Sequence, residues 1–371
     1  MKTESISTTN QRHFEVDAAK AFVIVVMVII HVYETLSDID CNSTMPSDPF
    51  RIILEFLAGP TGAPLFMFAM GIGMIFTRHD SPKDFMKRGI RLIIAGYVLN
   101  FFRFTIPEIC SQVSGLEPKS ALAIAAYSLN SDIFQFAGLS FVLIGLLKKV
   151  RIQPTWILCL AILMQAVGSR YVPPSDYPDI FHLLLGLIVY TGDDSSFPLM
   201  LWFVYPAAGM IYGGMLKKAA NKSVFYKKIL VTCTLILAGV IAFFFITGYD
   251  LRNTFALTDD IFYRQDIYHL VFTLPLILIA LAVSYFAFNE IEQTKAGRFI
   301  LYCSTNLNSI YVIQWLLITY TYSFFLIVGL EKISQAYVIP CGLLILASTI
   351  GISVIWNRIR GRMRKNNKEI Y

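Results

Sequence analysis

Ten apolar stretches, each of about 20 residues and separated by short polar loops, leave this chain little choice of fold. They fall near residues 18–37, 52–77, 89–107, 132–147, 155–172, 197–216, 229–248, 267–288, 307–328 and 336–356. Inside a bilayer the backbone of such a stretch has no water to bond and closes its hydrogen bonds as a helix. The pattern therefore predicts an all-α, polytopic transmembrane bundle of about ten spans. Composition agrees, with 56% hydrophobic and only 15% charged residues.

The net charge of +6 raises the question of nucleic acid, and the position of the Lys and Arg answers it. Alternate loops carry 23 of the 31, including Arg78, Lys83, Lys87, Arg88 and Arg91 before the third span and Arg358, Arg360, Arg362 and Arg364 after the last. The opposite loops hold seven, among them Arg51, Arg103 and Lys119. Basic loops stay in the cytoplasm, so both termini are expected there, and the basic tail faces anionic membrane lipids rather than nucleic acid. The stretch 180–190 is too short to cross, and a crossing there would invert the basic loop at 217–228. A re-entrant or interfacial helix on the outer face is expected instead. The polar first 17 residues show no cleavable pattern, so the first helix reads as retained. With compact loops, this suits a multi-pass protein of a bacterial cytoplasmic membrane. Neither an internal repeat nor a change of composition divides the chain, which reads as one domain, residues 1–371. The six cysteines have no CxxC or His-rich spacing, against a metal site, and pairing of Cys41 with Cys110 is left open.

The first span, VDAAKAFVIVVMVIIHVYETL, contains Asp17, Lys20, His31 and Glu34, costly residues in a membrane helix. At 100° per residue Lys20 and His31 lie within about 20° of each other, and Asp17 and Glu34 within about 60° of them. Lys20 and His31 stand about 16 Å apart along the axis. Such a stripe can face a polar cavity, with His31 as a base. Snorkelling of Lys20 and an interhelical hydrogen bond at His31 account for the same residues.

The opening VDAAKAFVIVVMVIIH resembles the start of the acyltransferase family 3 and heparan-alpha-glucosaminide N-acetyltransferase-like membrane proteins, in which an Asp and an Arg precede a His. PLFMFAMGIGMIF at Pro64–Phe76, FMKRGIRLI at Phe85–Ile93, DIFQFAGLSFVLIGLLKK at Asp132–Lys149, SFPLMLWFVYPAAGMIYGG and LNSIYVIQW extend the likeness over most of the chain. The resemblance implies transfer of an acyl group, usually acetyl, from cytoplasmic acyl-CoA to a hydroxyl or amine of an extracytoplasmic glycan or glycolipid. It makes His31 the catalytic histidine and puts Lys20 where the family carries arginine, a change that keeps the charge but loses the planar fork. Arg88 and Arg91 match the family's basic pair for the CoA phosphates. The residues read by themselves agree: Lys20, Lys87, Arg88 and Arg91 supply cations for the nucleotide end, and an extended pantetheine arm suits the distance to His31. Direct transfer and a covalent acyl-histidine both remain open.

Weaker signals are spread along the later spans. Gln135 and Gln314, with Asn100, Gln165, Asn306, Asn308 and Tyr311, are polar residues that line a cavity or bond between helices. On the outer face Asp179, His182, Asp193, Asp194, Trp202, Asp266 and His269 have the character of a sugar-binding rim or of solvated loops and interfacial aromatics. Glu34 and Trp202 join Gln135 and Gln314 as candidate substrate contacts. Gly71-x-Gly73 lies within a span, which excludes a dinucleotide loop. Gly209-xxx-Gly213 predicts close helix packing. The rival to an enzyme is a proton-coupled transporter or flippase for a sugar or lipid-linked substrate, using His31, Lys20 and Glu34 as a relay. Whether the chain forms a homo-oligomer is open.

Overall fold

The computed structural model describes residues 12–113, 120, 124, 126–171, 179–192 and 195–369. Lys2, Lys119, Asp193 and Asp194 lie outside the described residues, and of Asp179 and His182 only the backbone is described. The elements are helices: α1 (Phe14–Leu36), α2 (Pro49–Ala58), α3 (Ala63–Phe76), α4 (Pro82–Asn100), a π-helical turn (Phe101–Thr105), α5 (Ile106–Val113), α6 (Ile133–Lys149), α7 (Pro154–Gly168), α8 (Asp179–Gly186), α9 (Leu199–Trp202), α10 (Val204–Lys218), α11 (Lys222–Thr247), α12 (Asp259–Phe262), α13 (Ile267–Phe288), α14 (Lys295–Thr305), α15 (Leu307–Val328) and α16 (Gln335–Glu369). Among the described residues extended pairing is confined to two isolated bridges, Ser37 with Ile333 and Ser131 with Ser195.

Eight helical segments are long and apolar enough to cross a membrane, with α2–α3, α4–α5 and α9–α10 each forming one of them. The remaining two apolar stretches of the sequence are the 17-residue α6 and the 15-residue α7. At 1.5 Å per residue these reach about 26 and 22 Å, less than the average hydrocarbon thickness. Stretch 180–190 becomes the short helix α8 and a turn. Two other departures are helices that hydropathy does not register. Lys295–Thr305 is helical where the sequence reads as loop, and α16 runs on to Glu369, past the end of its apolar stretch.

Side-chain ties sort the connections into two ends. At the basic end Arg12 donates to Thr305 at 2.9 Å, Lys222 pairs with Glu15 at 3.3 Å, Lys148 pairs with Asp80, and Asn357 of α16 donates to Asn306 at 2.8 Å. At the opposite end Arg252 donates to the Pro46 carbonyl at 3.2 Å, Gln335 to Asp48 at 3.1 Å and Ser131 to the Ser196 carbonyl at 3.0 Å. Both ends of the described chain thus lie at the basic end.

Glycines bring the helices together. A Cβ on Gly209 would lie 2.0 Å from the Phe68 carbonyl oxygen, and one on Gly71 equally close to that of Pro206. The α3 and α10 backbones touch here, the close approach that small residues permit in membranes. Gly89, Gly96 and Gly138 do the same for α4 and α6. α1 is the hub, with Val23, Val28, Val32 and Tyr33 all buried and α3, α13, α14, α15 and α16 packed around it.

Candidate active site

Helical periodicity makes α1 one wall of a cavity of about 530 Å³. Val23, Val26, Met27, Ile30, His31, Glu34 and Thr35 line it at spacings of three and four, one face of a helix. Facing them are Ala58, Gly62 and Ala63 at the α2–α3 break, Arg103 and Phe104 of the π-helical turn, Asn130 to Phe134 at the start of α6, and Tyr311 and Trp315 of α15. Ser196, Phe197, Leu257, Phe262 and Tyr263 close the end remote from the basic loops. The α2–α3 break is held by Glu55, which is fully buried. Glu55 accepts from Tyr33 Oη at 2.7 Å, from Arg51 Nε at 3.1 Å and from the Leu257 backbone N–H at 3.1 Å, so it also fixes the extended segment at Leu257.

His31 stacks on Trp315 with ring centroids 3.9 Å apart and planes 28° apart. Its Nδ1 lies 3.2 Å from the Gln314 side-chain amide. On Trp315 also lies Arg103, whose Cζ is 3.1 Å from the ring centroid. At these separations one face of an indole cannot hold both groups, so Trp315 is layered between imidazole and guanidinium. Arg103 Nη1 donates to Asp132 Oδ2 at 2.5 Å, and Tyr311 Oη donates to the same oxygen at 2.9 Å. The other Asp132 oxygen accepts the Ile133 N–H at 2.6 Å and caps α6, where the helix dipole favours a carboxylate. The guanidinium, the carboxylate and the histidine thus meet inside the apolar bundle.

Of the residues singled out in the sequence, His31 and Glu34 line the cavity and Gln314 bonds to His31. Lys20 sits one turn nearer the basic end than Val23, with Asp17, Arg12 and Arg88 as its charged neighbours. Asp17 accepts from Arg12 Nε at 2.6 Å and from Ser304. Lys87, Arg88 and Arg91 come together with Thr77, His79 and Asp84 in a second cavity of about 280 Å³ at the basic end, where Arg88 lies over the Phe141 ring. Gln135 and Trp202 are fully buried outside the lining of the larger cavity. Gln135 packs against Gly96, and Trp202 donates to the Tyr263 carbonyl at 3.1 Å. His269 and Asp266 cap α13, with Nδ1 and Oδ1 2.7 Å apart, and do not line the cavity. Cys41 and Cys110 are free thiols.

Arg103 and Asp132 carry no weight in the sequence reading, where one counts as a loop charge and the other as the first residue of a span. A usable signal exists: Gly89, Gly96, Asn100 and Arg103 are spaced so that a single helix face carries them all. An arginine on that face, within the run FFRF, points into the bundle.

Fold and cavity together define a polytopic membrane protein with a pocket at its centre that carries the ionisable side chains His31, Glu34, Arg103 and Asp132. A family model described as heparan-alpha-glucosaminide N-acetyltransferase, catalytic, matches residues 12–240, well over half of the chain, and the chain belongs to that family. The match takes in α1, the basic cavity and the Arg103–Asp132 pair, whereas Tyr311, Gln314 and Trp315 lie beyond it. Neither the curated proteins nor the solved structures gave a match.

Proposed function

We propose that the chain, acting as one catalytic domain, is a transmembrane acyltransferase that moves an acyl group, acetyl in the simplest case, from acyl-CoA to a hydroxyl or amine of a glycan or glycolipid. The observation that carries the reading is the placement of His31 on the wall of a central cavity, between a cluster of cations at the basic end and an aromatic and polar mouth at the other. The basic end is assigned to the cytoplasm by the positive-inside rule, in a bacterial cytoplasmic membrane. Lys87, Arg88 and Arg91, with Lys20 above them, hold the CoA phosphates, and the pantetheine arm follows α1 toward His31. The acceptor enters from the opposite side, where Glu34 faces it. Trp202 supports that mouth by fixing Tyr263, and Gln135 fills the contact of α6 with α4 at Gly96.

In the reaction the acceptor oxygen or nitrogen attacks the thioester carbonyl carbon while His31 Nε2 takes its proton. The C–S bond then breaks and His31 returns the proton to the CoA thiolate. This assigns the Nδ1 hydrogen to a bond with Gln314, whose amide oxygen then faces the ring. The amide satisfies that need by turning over, because its two ends have the same shape.

The test is thiol release from acetyl-CoA by the purified protein in detergent, with cell-envelope glycan as acceptor, comparing the native chain with His31→Ala. Acceptor-dependent release that the substitution abolishes is the expected result. No release with any acyl-CoA from a folded protein would favour a transporter that uses His31 and Glu34 as a proton relay.

A further inference from the structure

The Arg103 guanidinium is held as if for a ligand. It is 9% exposed, and rings lie on both of its faces, Trp315 at 3.1 Å and Phe104 at 4.3 Å. Asp132 is its one hydrogen-bond partner among the described residues, taken through Nη1. Nε is buried without a partner, and Nη2 is left for whatever enters the cavity that Arg103 lines. A buried N–H without an acceptor is costly to the fold, and a π-helical turn, an element frequent at functional sites, carries this one. Asp132 cannot swing away to release the guanidinium, because Tyr311 and the Ile133 N–H hold it.

We propose that Arg103 is a catalytic residue of the acyl transfer, donating a hydrogen bond to the thioester carbonyl oxygen as that oxygen becomes an anion. The inference rests on the acyltransferase reading above. When the acceptor attacks, its proton passes to His31 and the carbonyl π electrons move onto oxygen, where Nη2 meets them. On collapse the electrons return, the C–S bond breaks and the thiolate receives the proton from His31. The layered indole sets the spacing. With the His31 ring centroid 3.9 Å from the indole centroid and the Arg103 Cζ 3.1 Å from it on the other face, the two groups are held about 7 Å apart across the indole, and a substrate meets both along the indole edge. Two hydrogen bonds of about 2.8 Å on either side of the acceptor atom, the carbonyl carbon and its oxygen span about that distance. Such preorganised donors act where water is excluded and cost no reorganisation during reaction. Asp132, Tyr311 and Trp315 are positioning residues, which orient the guanidinium without touching the substrate.

The experiment uses the full-length protein in detergent and compares the native chain with the paired substitution Arg103→Gln and Asp132→Asn, which removes both charges and leaves neither buried alone. Thermal unfolding and acetyl-CoA kinetics are measured on each. The expected result is an unchanged melting temperature, a KM for acetyl-CoA within about threefold and a kcat lowered by about 100-fold or more. Arg103→Lys keeps the cation and is expected to recover about tenfold of that loss. A paired variant with kcat within about threefold of native, or a loss confined to KM, overturns the proposal. If the paired variant does not fold, Arg103→Lys decides by itself: a kcat lowered about tenfold at constant KM upholds the role, and an unchanged kcat overturns it. A native chain that releases no CoA with any acceptor overturns the acyltransferase reading, and this role with it.

Discussion

His31 and Gln314 form a pair in which the amide, not a carboxylate, orients the imidazole. A carboxylate there would add a charge deep in the bundle, whereas the amide selects a ring orientation without one. Gln314→Leu is expected to lower kcat by about 10- to 100-fold at little change in KM, since an oriented general base is worth about 10²–10⁴ in rate, and steady-state kinetics in detergent will show it. Glu55 has a different task. Its carboxylate joins α1, α2 and the backbone at Leu257, and Glu55→Ala leaves the buried Arg51 charge without its carboxylate and the Leu257 N–H without its acceptor. The expected loss is about 3–5 kcal/mol, visible as a lowered melting temperature or as failure to accumulate folded protein. At this scale the sequence displays a buried ionisable group only where helix periodicity collects several on one face. Lys20, His31 and Glu34 stand out for that reason. Glu55 and Asp132 are hidden because each lies in the first turn of an apolar stretch, where a charge passes as interfacial, and only the folded chain shows their partners.

Among the helices, the crossing of α3 and α10 depends on two glycines that their neighbours cannot accommodate as anything larger. Gly209→Val is expected to cost about 3 kcal/mol or more through overpacking, while Gly214→Ala and Gly73→Ala, where a Cβ meets nothing within 4 Å, stay near native or gain slightly from helix propensity. Melting temperatures of the three variants test the contrast. The start of α4 carries the basic cavity, and replacing Lys87, Arg88 and Arg91 together by Ala is expected to raise the KM for acetyl-CoA about tenfold or more and leave kcat within a few-fold, as loss of uniform binding does. The close crossing was legible in the Gly209-xxx-Gly213 spacing. The break between α2 and α3, the helix at Lys295–Thr305 and the π-helical turn were not, because hydropathy averages over windows longer than the features themselves. Window averaging also hides the shortness of α6 and α7.

For the molecule as a whole, the class of fold follows from hydropathy and the two ends from the distribution of Lys and Arg, so architecture is far more legible than chemistry. The sequence does not display the cavity, since its walls come from segments far apart in the chain and most of its lining is ordinary apolar residues. At the end opposite the basic loops, acid pH acts through the helix caps. Burial alone would raise the Asp266 carboxyl, but its hydrogen bonds and charge interaction with His269 hold it below the ordinary carboxylate value, and backbone N–H groups at the start of α2 outweigh burial at Asp48 in the same way. Lowered values in the folded chain mean that both contributions are complete above the ordinary carboxylate pKa of about 4 and vanish as pH falls through the folded values. The melting temperature is therefore expected to drop below about pH 4, less steeply in Asp266→Asn than in the native chain. The layered Trp315 also equips the protein with an optical probe. Of its four tryptophans, Trp156, Trp202 and Trp356 lie outside the cavity lining, so a bound molecule that engages the imidazole and guanidinium on the two faces of Trp315 changes the emission of that indole and reports its own arrival without any label.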